Sequence, residues 1–419
     1  MTSRERLQLA LNHQQPDRVP VDFGGTPVTG MHVTALTRLR RAVLGEPDYR
    51  VKVIEPYQML GEIDEPLRRA LGIDVVGLLP RTTLFGFENC DWKPFTLFDG
   101  TEVLVPGDFK VTKNSDGDLL IYPTGDLTAP PSGRMPKDGH FFDSIIRQPP
   151  VDDDHLNPTD NLEEFGLFSE DTLRWYERRI TELISQSDGT VILIMPGTAF
   201  GDVALVPAPW MKHPKGIRDV EEWYISTAIR RDYVHKIFEK QCEIGLKNLA
   251  ALIKILGDRV QAVFLTGADF GTQRSPLIST DTYRELFQPY HRQINRLVHE
   301  RSQWKTFMHS CGAIRDLLPD FIESGFDILN PVQCSACGMD PATLKREFGR
   351  HVTFWGGGVD TQGVLSSGTP DEVYRQVRER IEIFGEGGGF VFDSVHNVQA
   401  TTPLANLQAM FRALQDAAR

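Results

Sequence analysis

Eight times along this 419-residue chain a short, mostly apolar run ends in a turn, and helical stretches separate every run from the next. This alternation constrains the fold more than any other feature. Strands joined through helices cannot pair as hairpins, so they lie parallel in one sheet. The eight runs lie near residues 19, 74, 191, 260, 304, 327, 352 and 389. Eight βα units favour an α/β fold of the closed (β/α)8 barrel type. An open doubly wound sheet is the alternative, and strand order separates the two.

The helices between the runs read from their periodicity. Leu36, Leu39 and Val43 share one face of a stretch at 33–44, and Val373, Val377, Ile381 and Phe384 share one at 370–384. Thr2 or Ser3 can cap a first helix, and Pro403 opens the last one. A helix carrying Leu60, Ile63, Leu67 and Leu71 precedes the second strand, and a long one spans about 163–186. Residues 83–150 break the rhythm. Turn signals at Asp99-Gly100, Pro106-Gly-Asp108 and Asn114-Ser-Asp-Gly117 separate β-prone runs at 95–98, 102–105, 109–112 and 119–122. That pattern predicts a small antiparallel meander, inserted after the second strand of a single domain spanning 1–419.

Composition narrows the function classes. A net charge of −12 disfavours nucleic acid or an anionic membrane as a partner. No run approaches the roughly 20 apolar residues of a membrane span. The opening Met-Thr-Ser-Arg-Glu-Arg6 lacks the apolar core of a secretory signal, and five cysteines are too few and odd for a disulfide framework. A reducing cytoplasm is the expected location, and a homodimer is allowed for.

In a barrel the chemistry gathers on the loops after the strands. Strand four is followed by Asp269, Gln273 and Arg274. Strand five runs Lys305-Thr-Phe-Met-His-Ser-Cys-Gly312 and delivers His309 and Cys311. Strand six gives Asn330, Gln333 and Cys334, strand seven Asp360, and strand eight Asp393, His396 and Asn397. His309, Cys311 and His396 are natural zinc ligands. Three protein ligands with one open position is the catalytic zinc pattern. Cys334 stands as a fourth ligand candidate, beside Asp269 and Asp393, which are also the expected catalytic acids. Gln273, Arg274, Asn330, Gln333, Asp360 and Asn397 are the expected substrate contacts.

Other features carry less. Cys334-x-x-Cys337 is a single pair, weak as a redox or second metal site. Gly356-Gly-Gly358 lacks the flanking pattern of a phosphate loop and fits close backbone packing. Asp17-Arg18 and Asp152-Asp-Asp154 read as solvated loop charges.

Taken together, several motifs resemble the uroporphyrinogen decarboxylase superfamily over nearly the whole chain. They are Ser3-Arg-Glu-Arg6, Asn12-His13, Pro16-Asp-Arg-Val-Pro20, His309-Ser-Cys-Gly312, Gly356-Gly-Gly-Val-Asp360, Gly368-Thr-Pro-Asp-Glu-Val373, and Val395-His-Asn-Val-Gln399 with Thr402-Pro403. The resemblance implies a (β/α)8 barrel, in agreement with the strand count. Its cobalamin-linked methyltransferases hold zinc through a His-x-Cys pair and a later Cys. His309 and Cys311 match the pair, while the later Cys falls on His396.

The resemblance therefore implies zinc-dependent methyl transfer between a small methylated compound or thiol and a corrinoid carried by a separate protein. Two alternatives stand beside it. One is decarboxylation of uroporphyrinogen in porphyrin biosynthesis, which uses Arg after the first strand and Asp after the second. Here those places read Phe23-Gly-Gly-Thr-Pro-Val-Thr-Gly30 and Leu78-Leu-Pro-Arg-Thr-Thr-Leu-Phe85, without either. The other is a non-catalytic barrel that binds a corrinoid or other partner protein.

Overall fold

The computed structural model describes residues 1–418. Seven parallel strands hydrogen-bond in the order of the sequence: Val75–Leu78, Thr190–Ile194, Ala262–Thr266, Lys305–His309, Ile328–Asn330, Thr353–Trp355 and Phe390–Val391. The expected first strand is reduced to one parallel bridge, Val21 to Phe392. Pro20 has no N–H to give a longer ladder. The segment still closes the ring. Asp22 N donates to Phe392 O at 2.9 Å, Phe392 N to Pro20 O at 2.8 Å and, on the other side, Asp74 N to Val21 O at 2.8 Å. Sequential order with this closure makes an α/β barrel; a doubly wound sheet would reverse order partway across.

Alternation along each strand sorts inside from outside. Val75, Ile192, Ile194, Ala262, Phe264, Phe307, Ile328, Trp355 and Val391 fill the barrel. Leu193, Val263, Leu265, Met308, Leu329, Phe354 and Phe390 pack outward against the helices. Each such buried side chain contributes on the order of 2 kcal/mol. Helix Ser3–Leu11 sends Leu7 and Leu11 into the interior group and plugs the N-terminal end. Its start is a capping box in which Thr2 and Glu5 satisfy each other's backbone amides.

Of the charges Asp17 and Arg18, expected to be solvated, Asp17 is exposed while Arg18 is half-buried in this plug. Fully buried Asp74 accepts from Arg6 at 2.6 Å and Arg18 at 2.8 Å, and Arg6 also pairs with Asp17. Sequence reading misses the pairing of Arg18 because Asp74 lies 56 residues away.

Three further expectations shift. Leu60 lies in a strand, Leu60–Gly61, paired with Val53–Glu55, and the helix begins only at Glu65, where Asp64 caps it and Pro66 fits the first turn. The long helix begins at Glu170, capped by Ser169, after an isolated 3-10 turn at Pro158–Asn161. The insertion is two antiparallel sheets. Lys93–Thr96 pairs with Glu102–Val105, and a second sheet joins Val111–Lys113, Leu119–Ile121, Gly133–Met135 and Asp143–Ser144. Strands of two or three residues are too short for a period-two signal. Among the described residues no helix is long and apolar enough to cross a membrane.

Candidate metal centre

Inward alternation continues one residue past the apolar layers and becomes polar. Phe307 faces in and Met308 out, so His309 faces in; Ile328 and Leu329 place Asn330 likewise; Val391 and Phe392 place Asp393 likewise. All three lie at C-terminal strand ends, where a barrel opens its mouth.

His309, Cys311 and His396 meet there, with one ligand atom from each lying within 4.8 Å of the others. Cys311 Sγ is 3.4 Å from His309 Nε2, and the two imidazoles stand edge to face with centroids 5.2 Å apart. The turn that carries Cys311 depends on Gly312, at φ +88°. A Cβ there would lie 2.4 Å from the Gly271 carbonyl carbon, so any side chain would push the two loops apart.

Supporting contacts hold the three side chains. Asp269 Oδ1 accepts the Cys311 amide at 2.7 Å and lies 3.9 Å from His309 Nε2. His309 Nδ1 is 2.5 Å from Asn330 Oδ1, and Asn330 Nδ2 donates to the Trp355 carbonyl at 2.8 Å. Gln333 Oε1 accepts the Gly312 amide at 2.8 Å. His396 sits at φ +68°, and its Nδ1 accepts the Asn397 amide at 2.8 Å. Asn397 in turn receives the Gly30 amide and donates to Pro27 O and Gln58 Oε1, which ties this loop to the one after the first strand.

Burial governs the electrostatics. It lowers the His309 pKa to about 4, against the Asn330 hydrogen bond, and the His396 pKa to about 3, aided by His309 and opposed by Asp269. It pushes the Cys311 thiol well up, with Asp269 adding to the rise. Asp269 is raised by burial against the pull of the Cys311 amide. Burial also lifts Asp22 and Asp202 to about 6. Asp393 rises well above the usual range through burial and then the charge of Asp22, and neither of its oxygens finds a donor at hydrogen-bonding geometry. Among the described residues no Lys or Arg forms an ion pair with any of these four acids; Asp269 meets only His309. A bound cation would oppose these upward shifts, since a nearby positive charge favours thiolate and carboxylate.

The donor set fits zinc or a similar borderline-soft ion. His309 offers a free Nε2 toward Cys311. His396 has to adjust, because coordination through Nε2 needs the proton on Nδ1, where the Asn397 amide now points.

The remaining expected residues divide. Asn330, Gln333 and Asn397, expected as substrate contacts, are buried and hydrogen-bonded to the protein itself around the three candidate ligands. Cys334, the fourth-ligand candidate, is outside the three-residue group, and its thiol donates to Val332 O at 3.2 Å. Asp360 accepts the Gln362 amide in its own turn, at 3.2 Å. Gln273 bonds Gln362 at 3.0 Å on the exposed rim, beside exposed Arg274. Asp22, Asp202 and Tyr224, whose hydroxyl donates to the Asp269 carbonyl at 2.7 Å, complete the mouth without having been expected. Asp202 lies in the long loop after the third strand, a place the strand count already marks. A polar cleft of about 590 Å³ opens at the opposite end, beside Arg4, Gln8, Gln261 and Lys305, but gathers no metal-ligating set among the described residues.

A sequence profile described as uroporphyrinogen decarboxylase (URO-D) matches residues 203–417, half of the chain. A methylated-thiol–coenzyme M methyltransferase of Methanosarcina mazei is 34% identical over 143 residues, which are 34% of this chain and 35% of that protein. The matched stretch thus spans about a third of that relative. A solved structure described as a methyltransferase from Methanosarcina mazei superposes with a TM-score of 0.54 at 16% identity, covering 99% of both chains, and shares the fold.

Proposed function

The chain belongs to the uroporphyrinogen decarboxylase (URO-D) family, and from that premise we propose that it is a zinc-dependent methyltransferase. In this reading a methyl group moves between a small methylated compound or thiol and a corrinoid on a separate carrier protein. The observation that carries the reading is the convergence of His309, Cys311 and His396 at the barrel mouth, within 4.8 Å. The partial likeness to a methylated-thiol methyltransferase supports it.

His309, Cys311 and His396 would hold the metal, which when bound lowers the pKa of a thiol or polarises a leaving heteroatom. Asp269 fixes the Cys311 backbone and sets its carboxyl group beside the imidazole of His309. Asp393, fully buried and pushed well above the usual carboxylate range by burial and then by Asp22, is the group placed to hold or move a proton. The buried walls keep bulk water from the reacting atoms.

A tetrapyrrole with eight carboxylates is the weaker reading, because the segments after the first and second strands, Phe23-Gly-Gly-Thr-Pro-Val-Thr-Gly30 and Leu78-Leu-Pro-Arg-Thr-Thr-Leu-Phe85, lack respectively the Arg and the Asp that the resemblance to the decarboxylase requires.

The test is incubation with reduced cobalamin and a panel of methylated thiols and ethers, following the corrinoid absorbance. Methylation of the corrinoid, lost in Cys311→Ser, is expected. Turnover of uroporphyrinogen by metal-free protein would overturn the reading, as would corrinoid binding without transfer from any donor.

A further inference from the structure

We infer that Asn330 is a positioning residue that fixes the tautomer of His309 and so decides which imidazole nitrogen faces Cys311. The inference rests on the metal-centre reading above, and it concerns how the chain itself prepares that centre.

The argument starts from a group whose role cannot vary. The Trp355 carbonyl only accepts, so the Asn330 end lying 2.8 Å from it is the NH2 group. The Asn330 amide oxygen is thereby turned toward His309 Nδ1, 2.5 Å away. That oxygen also only accepts, so Nδ1 carries the proton and Nε2 keeps its lone pair. This lone pair lies 3.4 Å from Cys311 Sγ and 3.9 Å from Asp269 Oδ1. The reverse arrangement would set the Asn330 oxygen against the Trp355 oxygen. Asn330 is 0% and His309 3% exposed, so water cannot relieve that clash.

Three neighbouring strand ends supply the relay, since Lys305–His309, Ile328–Asn330 and Thr353–Trp355 are adjacent in the sheet. Trp355 is itself anchored, its Nε1 donating to Asp22 Oδ2 at 2.9 Å. Hydrogen bonds behind a metal-binding imidazole commonly change metal affinity 10- to 100-fold. Asn330 therefore acts through His309.

The test has two readouts independent of methyl transfer. Long-range ¹H–¹⁵N correlation on metal-free, ¹⁵N-histidine-labelled wild type is expected to show His309 protonated at Nδ1; protonation at Nε2 would overturn the inference. Zinc alone, in competition with a chromophoric chelator, is the second probe. Asn330→Leu is expected to weaken zinc about 10- to 100-fold. Equal affinity of Asn330→Leu and wild type would overturn it. If Asn330→Leu does not fold, the wild-type tautomer decides. An absence of methyl transfer with both readouts as expected would overturn the proposed reaction alone.

Discussion

One carboxylate oxygen of Asp269 accepts the Cys311 amide at 2.7 Å and stands 3.9 Å from Nε2 of His309. The fourth strand's loop thus holds the fifth strand's ligands in register, with a negative charge beside the place a cation would occupy. Asp269→Asn keeps an acceptor for the amide and removes the charge. It is expected to weaken zinc about tenfold, with Asp269→Ala weaker still. Chelator competition measures both, and an unchanged affinity in Asp269→Asn would show that the carboxylate only braces the loop.

His396 stands where the resembling methyltransferases carry cysteine, and a second thiolate makes a more anionic site than a second imidazole. His396→Cys is therefore expected to bind zinc more tightly and, loaded with cobalt, to roughly double the thiolate charge-transfer absorbance. Weaker binding than wild type would mean that the left-handed backbone at φ +68° turns the new thiol away from Cys311.

The buried acids predict a pH dependence. Asp22 has its folded pKa raised to about 6 by burial, above its unfolded value. The native state then holds more protons than the unfolded state, so this contribution is present below about pH 4 and is lost as pH rises through 6. A shift of about two pKa units corresponds to about 3 kcal/mol. Buried His32, His291 and His309 and half-buried His396, all lowered, act with the opposite sign as pH falls below 6.5. The informative quantity is the difference between wild type and Asp22→Asn, which is expected to turn against wild type between pH 4 and 7 in urea titrations. A pH-independent difference would contradict it.

At the opposite end of the barrel, fully buried Asp74 joins Arg6 and Arg18. Asp74→Ala leaves two partly buried guanidinium groups without their shared partner, so a loss of about 3–5 kcal/mol is expected, with zinc affinity unchanged. Urea unfolding and chelator competition on one preparation check both halves. A parallel loss of zinc would mean the two ends are coupled.

The barrel was legible because seven of its strands are apolar runs bounded by turns, and a run such as 190–194 is buried at every position. The first strand was legible only in part, since Pro20 and the following glycines leave it one bridge. The two small insertion sheets escaped because Asp143–Ser144 and Gly133–Met135 carry no periodic pattern. His309, Cys311 and His396 could be picked out because their residue types are rare and each lies at or just past a strand end. The roles of Asn330, Gln333 and Asn397 could not, because whether an amide faces the mouth or the back of an imidazole is set by contacts 21 residues away for Asn330 and 367 for Asn397. Asp22 and its bond to Trp355 join residues 333 positions apart, a distance at which local pattern says nothing.

Metal analysis of protein purified without chelators tests the central claim most directly. About one zinc per chain is expected in wild type, falling to a small fraction in Cys311→Ser, because removing one of three ligands leaves too few donors. A wild type without zinc, or a Cys311→Ser variant that keeps the same zinc content, would contradict it.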